Sequence, residues 1–146
     1  MTDRLEALHR SPLFATLGRR ELKRVAAALS ERTFPAGSAV ATEDEVGVGF
    51  FIVDEGRARV SCRGREIGEL GPGDHFGEIA LIVEAPRTAT VTAETDLRCY
   101  GMTSWDFRRL VEGNAGVAWH VMEALARRLL ELRADAPAAV RAAPDG

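Results

Sequence analysis

The sequence predicts a mainly β domain with flanking helices, on three observations. Leu22, Val25, Ala26 and Leu29 recur at i, i+3, i+4 and i+7, which places them on one helical face near the N-terminus. From about residue 33 to residue 102 the texture changes to short alternating runs separated by turn residues, the pattern of a sandwich or barrel. After residue 102 the helical period returns.

Taken in order, residues 1–32 are expected to form a helical lead-in, closed by the turn Pro35-Ala36-Gly37. Strands are expected at 39–42, 48–53, 57–62, 66–70, 88–93 and 97–102, within a β region spanning 33–102. Ala58, Val60 and Cys62 face one way against Arg57, Arg59 and Ser61, and Ala89, Val91 and Ala93 oppose Thr88, Thr90 and Thr92. Each of these strands therefore has one dry and one wet face. Turns fall at Glu55-Gly56, Arg63-Gly64, residues 70–74 and Glu94-Thr95-Asp96, where glycines and acids suit backbone conformations that β-branched residues avoid.

The C-terminal helices occupy residues 103–133. Thr103 or Ser104 can cap a short helix carrying Phe107, Leu110 and Val111. A longer helix over 117–133 follows Asn114-Ala115-Gly116. Along it Ala118, Met122, Leu125, Leu129 and Leu132 form a short heptad-like seam, expected to pack on its own domain. Trp119 and Leu130 lie off that seam and leave apolar surface through which two copies could dimerise. Residues 134–146, rich in Ala and Pro without an apolar period, read as a flexible tail or linker. The domain proper is thus 1–133.

Bulk properties narrow the function. A chain of 146 residues is one domain by length and can bury a core without staples. With 46% hydrophobic residues and no apolar run near the ~18 residues of a membrane span, it reads as soluble. No apolar leader stands at the N-terminus, so a cytoplasmic location is expected. Cys62 and Cys99 lie far apart in strand-like segments and read as core thiols. A net charge of −3 is the wrong sign for a dedicated nucleic-acid binder. Small ligands and proteins are the expected partners.

Chemistry concentrates in FGEIALIVEAPRTATV, residues 76–91, a core-like run carrying both Glu78 and Arg87. Gly77 permits close backbone approach, and the turn beginning at Glu78 presents free N–H groups that attract an anion. Arg87, placed by Pro86, offers a bidentate fork for phosphate oxygens. Glu78, an acceptor only when ionised, suits a hydroxyl such as a ribose 2′-OH. An anion site beside a hydroxyl acceptor suits a sugar phosphate.

This stretch resembles the phosphate-binding cassette of cyclic nucleotide-binding domains, the module of catabolite activator proteins, regulatory subunits of cAMP-dependent protein kinase and cyclic nucleotide-gated channels. The resemblance extends through SPLFATLGRRELKRVA, FPAGSAV, FFIVDEGRARV, LGPGDHFGEIAL and MTSWDFRRLV. It implies a double-stranded β-helix, or jelly roll, with N-terminal helices and a C-terminal helix pair. It also implies that Glu78 holds the ribose 2′-OH, Arg87 neutralises the cyclic phosphate, and backbone groups of Gly77, Ile79 and Ala80 line phosphate and sugar. Thr88 can bond the phosphate or a syn guanine, which leaves cGMP allowed beside the favoured cAMP. Ala89 keeps its strand close to the ligand, and Val60 and Ile67 supply apolar wall. The last helix is implied to swing over the purine, with Met122, Leu125 and Leu129 as candidate contacts.

Two departures from the family pattern stand out. Glu43-Asp44-Glu45 replaces a common Glu-Gly-Asp, and Val48 stands where an acid is common; both are expected in a loop away from the phosphate. Other readings of the same residues stay open. Glu78 and Arg87 could form a plain structural ion pair, Thr88 could be an ordinary strand residue, and Val60 and Ile67 could simply fill the core.

Catalysis and metal binding are not expected. His9, His75 and His120 fall in separate segments, so no ligand cluster of a cupin-type enzyme forms, and His75 reads as a turn residue. Ser61 and Ser104 have no nearby histidine for a triad. No cofactor beyond the nucleotide ligand is implied. The chain stops before a helix-turn-helix could fit, so no DNA binding is expected of it. The alternatives to a sensor are a ligand-free β-roll scaffold for dimerisation or protein docking, and a regulatory fragment of a longer effector protein.

Overall fold

The computed structural model describes residues 3–44, 49–84 and 86–134. Helix α1 (Arg4–Arg10), a 3₁₀ turn (Pro12–Phe14) and α2 (Arg19–Ala27) precede eight strands: β1 (Ser30–Phe34), β2 (Ala39–Ala41), β3 (Gly49–Glu55), β4 (Ala58–Cys62), β5 (Arg65–Leu70), β6 (His75–Phe76), β7 (Thr90–Ala93) and β8 (Leu97–Thr103). A second 3₁₀ turn, Glu78–Leu81, lies between β6 and β7, and α3 (Ser104–Gly113) and α4 (Ala115–Ala134) close the described chain. The strands form two antiparallel four-stranded sheets, ordered β1-β8-β3-β6 and β2-β7-β4-β5. This is the expected mainly β jelly roll with N-terminal helices and a C-terminal helix pair.

Strand β3 explains how one sheet serves two cores. Its run Gly-Phe-Phe-Ile-Val is apolar at every position, and side chains alternate faces with a period of two. Phe50 and Ile52 therefore point into a helical core with Leu8, Phe14, Val25, Phe107, Val117 and Val121, while Phe51 and Val53 join the roll interior with Ala58, Val91, Ala93, Leu97 and Cys99. Phe14, fully buried, meets Phe50 and Phe107 edge-on at 5.8 and 6.1 Å, joining the lead-in to β3 and α3. Each such aromatic contact adds about 0.5–1.5 kcal/mol beyond burial. Gly101 of β8 is required beside this strand, because a Cβ there would stand 2.9 Å from the Phe51 ring.

Polar groups fix the remaining corners. Asp54 is 2% exposed and pairs with Arg98 at 2.8 Å, and Arg98 also reaches Glu55 at 2.6 Å, so a buried carboxylate on β3 is tied to β8. Thr103, the expected cap, accepts a hydrogen bond from the Asp106 N–H at 3.2 Å.

Four expectations need correction. Strand β1 begins at Ser30, ahead of the expected boundary at 33, because its residues are nearly all exposed and only pairing with β8 makes it a strand. The two-residue β6 is too short for an alternation signal, and His75, read as a turn residue, belongs to it and pairs with Ile52. The segment 88–93 is regular only from Thr90. The seam of α4 is not its packed face: Val117, Val121 and Ala124 are buried, whereas Met122, Leu129 and Leu132 are more than half exposed, as are Trp119 and Leu130. The buried stripe, itself spaced i, i+4, i+7, meets the N-terminal core, and it is that core which selects it over the competing seam. Val48 and residues 135–146 lie outside the described residues.

Candidate functional site

Gly77 organises the cassette. Its φ of +87° is left-handed, a region that L side chains enter at a cost and glycine does not. That turn directs the chain from β6 into the short 3₁₀ segment Glu78–Leu81, in which Ala80 and Leu81 are buried and Ile79 is 54% exposed. A Cβ at Gly77 would strike the Arg87 guanidinium and the Gly49 carbonyl. The missing side chain thus allows a cationic group to lie against the cassette backbone.

Arg87 itself is half-buried and donates from Nη2 to the Gly49 carbonyl at 2.7 Å. Burial lowers its pKa from the ordinary value, opposed by the nearby negative charge of Glu78. Among the described residues no carboxylate forms an ion pair with it. The structural Glu78–Arg87 pair allowed by the sequence is therefore not formed.

Glu78 pairs instead with His75, whose Nδ1 lies 3.4 Å from Oε2, both side chains being about one-fifth exposed. That spacing is a polar contact short of a well-formed hydrogen bond, and the buried Nδ1 has no hydrogen-bond partner among the described residues. The His75 contact, opposed by burial and assisted by the Glu78 backbone N–H and by Arg128 of α4, holds the Glu78 carboxyl below its ordinary 4.5. At neutral pH Glu78 is an ionised acceptor.

The other nominated positions fall at varied depth. Thr88 is exposed, Ala89 is half-buried, and Val60 on β4 is half-buried against the roll core. Ile67 on β5 is 60% exposed, so the core-filling alternative does not apply to it. A cavity of about 460 Å³ lies on the β1 and β2 side of the roll, walled by Phe34, Val40, Phe51 and Met102 with Arg32 and Arg87 among its polar lining. Of the nine nominated residues, Arg87 alone lines it.

Residues 43 and 44 reach the cassette through backbone: the Asp44 N–H donates to the Arg87 carbonyl at 2.8 Å. Burial pushes the Cys99 thiol up to about 12, so it is protonated and inert, and half-buried Cys62 is likewise unpaired. Among the described residues no group of His, Cys, Asp and Glu is placed to hold a metal ion, and no helix is long and apolar enough to cross a membrane.

The cyclic nucleotide-binding domain family matches residues 31–114, from β1 through α3. The chain is 39% identical over 102 residues to a cAMP-dependent protein kinase regulatory subunit of Yarrowia lipolytica, covering 68% of this chain and 27% of that protein. It is 36% identical over 126 residues to a cyclic nucleotide-gated potassium channel of Rhizobium etli, covering 86% and 34%. The chain thus spans about a quarter to a third of the curated relatives it matches. Among solved structures, the N-terminal domain of a transcriptional regulator from Streptomyces coelicolor superposes with a TM-score of 0.81 at 30% identity, covering 91% of this chain and 96% of that one. With the family match spanning more than half of its length and both sheets of the roll built around the cassette, the chain belongs to the cyclic nucleotide-binding domain family.

Proposed function

We propose that the domain binds a cyclic nucleotide, cAMP in preference and cGMP in addition, and acts as a regulatory sensor rather than an enzyme. The observation that carries this reading is Arg87: a half-buried guanidinium with a neutral carbonyl for a partner, pressed against a left-handed glycine beside an ionised acid. A half-buried cation without a carboxylate favours an anion of matching shape, and a phosphodiester supplies two oxygens for the fork. Glu78 then accepts from the ribose 2′-OH, backbone groups of Gly77, Ile79 and Ala80 line phosphate and sugar, and Thr88 and Ala89 flank the phosphate. Val60 and the exposed side chain of Ile67 offer apolar wall to the purine. The names of the yeast and rhizobial relatives, which carry cAMP and cyclic nucleotides, support the ligand class.

Output is assigned to α4. Its C-terminal half exposes Leu129, Leu130 and Leu132, apolar surface suited to closing over a purine together with exposed Ile79, Ile82 and Val83 of the cassette. Ligand moves such a helix only by the difference in its affinity for the two helix positions. In this reading the domain, 1–133, regulates an effector, in a cytoplasmic setting, through the helix and the segment after it.

The exposed face of α4 favours a second reading, a scaffold that docks a partner or a second copy without nucleotide. Calorimetric titration with cAMP and with cGMP separates the two. Saturable heat with either nucleotide is expected of the sensor. Silence with both, together with self-association lost on Leu129→Glu, is expected of the scaffold.

A further inference from the structure

We propose that Glu43 is a positioning residue for Arg87, holding its segment in register for the phosphate; this rests on the cyclic nucleotide reading above. Regular β7 starts only at Thr90, so Arg87 stands outside the ladder that would ordinarily aim a strand residue. Pairing of β2 with β7 extends as far as Ala41 opposite Val91, with a shift of register on the way. Beyond that point Glu43 continues the connection by other means.

The Glu43 N–H donates to Thr90 Oγ1 at 3.0 Å, and the Thr90 hydroxyl lies 3.4 Å from Glu43 Oε1. Both carboxylate oxygens of Glu43 accept from the Arg63 N–H, at 3.0 and 3.1 Å, in the turn between β4 and β5. The next residue, Asp44, then delivers its N–H to the Arg87 carbonyl at 2.8 Å. One half-buried carboxylate thus joins the loop after β2 to β7 and to the β4–β5 corner. Those same strands carry Val60 and Ile67, proposed as the wall of the pocket.

Backbone conformation explains why a clasp is needed. Asp44 has φ +68° and Arg63 has φ +54°, both left-handed and both non-glycine. Such corners persist only where surrounding contacts hold them. The Glu43 carboxylate bonds the backbone of one corner and is adjacent to the other. Released, the Asp44 N–H can leave the Arg87 carbonyl, and a fork that must meet two oxygens loses its aim. Binding geometry tolerates errors of roughly half an ångström.

The test is a cycle of cAMP dissociation constants with wild type, Glu43→Ala, Glu43→Gln, Arg87→Ala and the Glu43→Ala/Arg87→Ala double variant. Glu43→Ala is expected to weaken binding about 10-fold. Glu43→Gln, which keeps a carbonyl oxygen for the Arg63 N–H, should stay within about twofold. In the Arg87→Ala background Glu43→Ala should add less than about twofold, because its effect passes through the missing guanidinium. An equal loss in both backgrounds, or no loss in either, overturns the assignment. Nitrogen–proton resonances of the Arg87 guanidinium supply a ligand-independent check: they should shift or broaden in Glu43→Ala and keep their positions in Glu43→Gln. If the wild type binds neither nucleotide, the sensor reading fails on its own, and unchanged Arg87 resonances in Glu43→Ala separately defeat the positioning role.

Discussion

At the scale of single residues, the decisive pair is Arg87 and Glu78, which share a cassette yet form no ion pair with each other: Arg87 bonds the Gly49 carbonyl and Glu78 meets His75. On the proposed reading, Arg87→Ala would leave a phosphate desolvated without its counter-charge, an expected loss of about 2–5 kcal/mol. That is a rise in the cAMP dissociation constant of roughly 30-fold or more, measurable by calorimetry. Glu78→Ala should weaken cAMP while leaving the affinity for its 2′-deoxy analogue little changed, since the analogue lacks the hydroxyl that the acid is proposed to accept from. Stability carries a second mark of Glu78. Its native pKa is held below 4.5, so the native state binds fewer protons than the unfolded chain in the acid range. The stabilisation is complete above about pH 4.5 and fades as pH falls through the lowered native value. Thermal melts from pH 7 to pH 3 should therefore show the advantage of wild type over Glu78→Gln shrinking below that point.

At the scale of elements, α4 divides into a pinned N-terminal half and a C-terminal half whose leucines are exposed. The Thr16 hydroxyl donates to the His120 carbonyl at 2.6 Å, Glu21 lies 2.8 Å from His120 Nδ1, and Arg24 donates to Asn114 at the α3–α4 junction. Val117, Val121 and Ala124 are buried beneath these contacts, whereas Leu129, Leu130 and Leu132 pack on nothing comparable. On the proposed reading the C-terminal half is the part that moves. Saturating cAMP is accordingly expected to slow amide hydrogen exchange over residues 125–134 and to leave 117–124 almost unaltered. Equal protection along the whole helix, or none, contradicts the proposed closure by the C-terminal half. Glu21 also accepts from the Gly18 N–H at 3.3 Å, so Glu21→Ala should lower stability by about 1 kcal/mol, read by chemical denaturation.

At the scale of the whole molecule, two cores back to back across β3 make the roll and the helices one cooperative body. Phe14 sits where lead-in, sheet and α3 converge, fully buried. Phe14→Ala should cost about 3–5 kcal/mol through lost burial and an unfilled cavity. Despite lying far from the cassette in sequence, it should lower the melting temperature by on the order of 10 °C in one transition. Separate transitions for roll and helices are the outcome that contradicts a single body.

Alternation within β4 and β7, the glycine turns and the N-cap at Thr103 were legible in the chain because each is a local choice: side-chain period, backbone freedom or a hydroxyl one turn away. So was the presence of an acid and a base in the cassette, whose types and spacing suggest the proposed chemistry. Strand β1 and the buried stripe of α4 were not legible, because exposed residues become a strand only beside β8, and a helix with apolar residues on several sides has its inner face chosen by its neighbours. The same holds for the partner of Arg87 and for the reach of residues 43–44 to the arginine. Those contacts join positions 38 or more residues apart, or pass through backbone groups that every residue possesses, and only the folded arrangement selects among them.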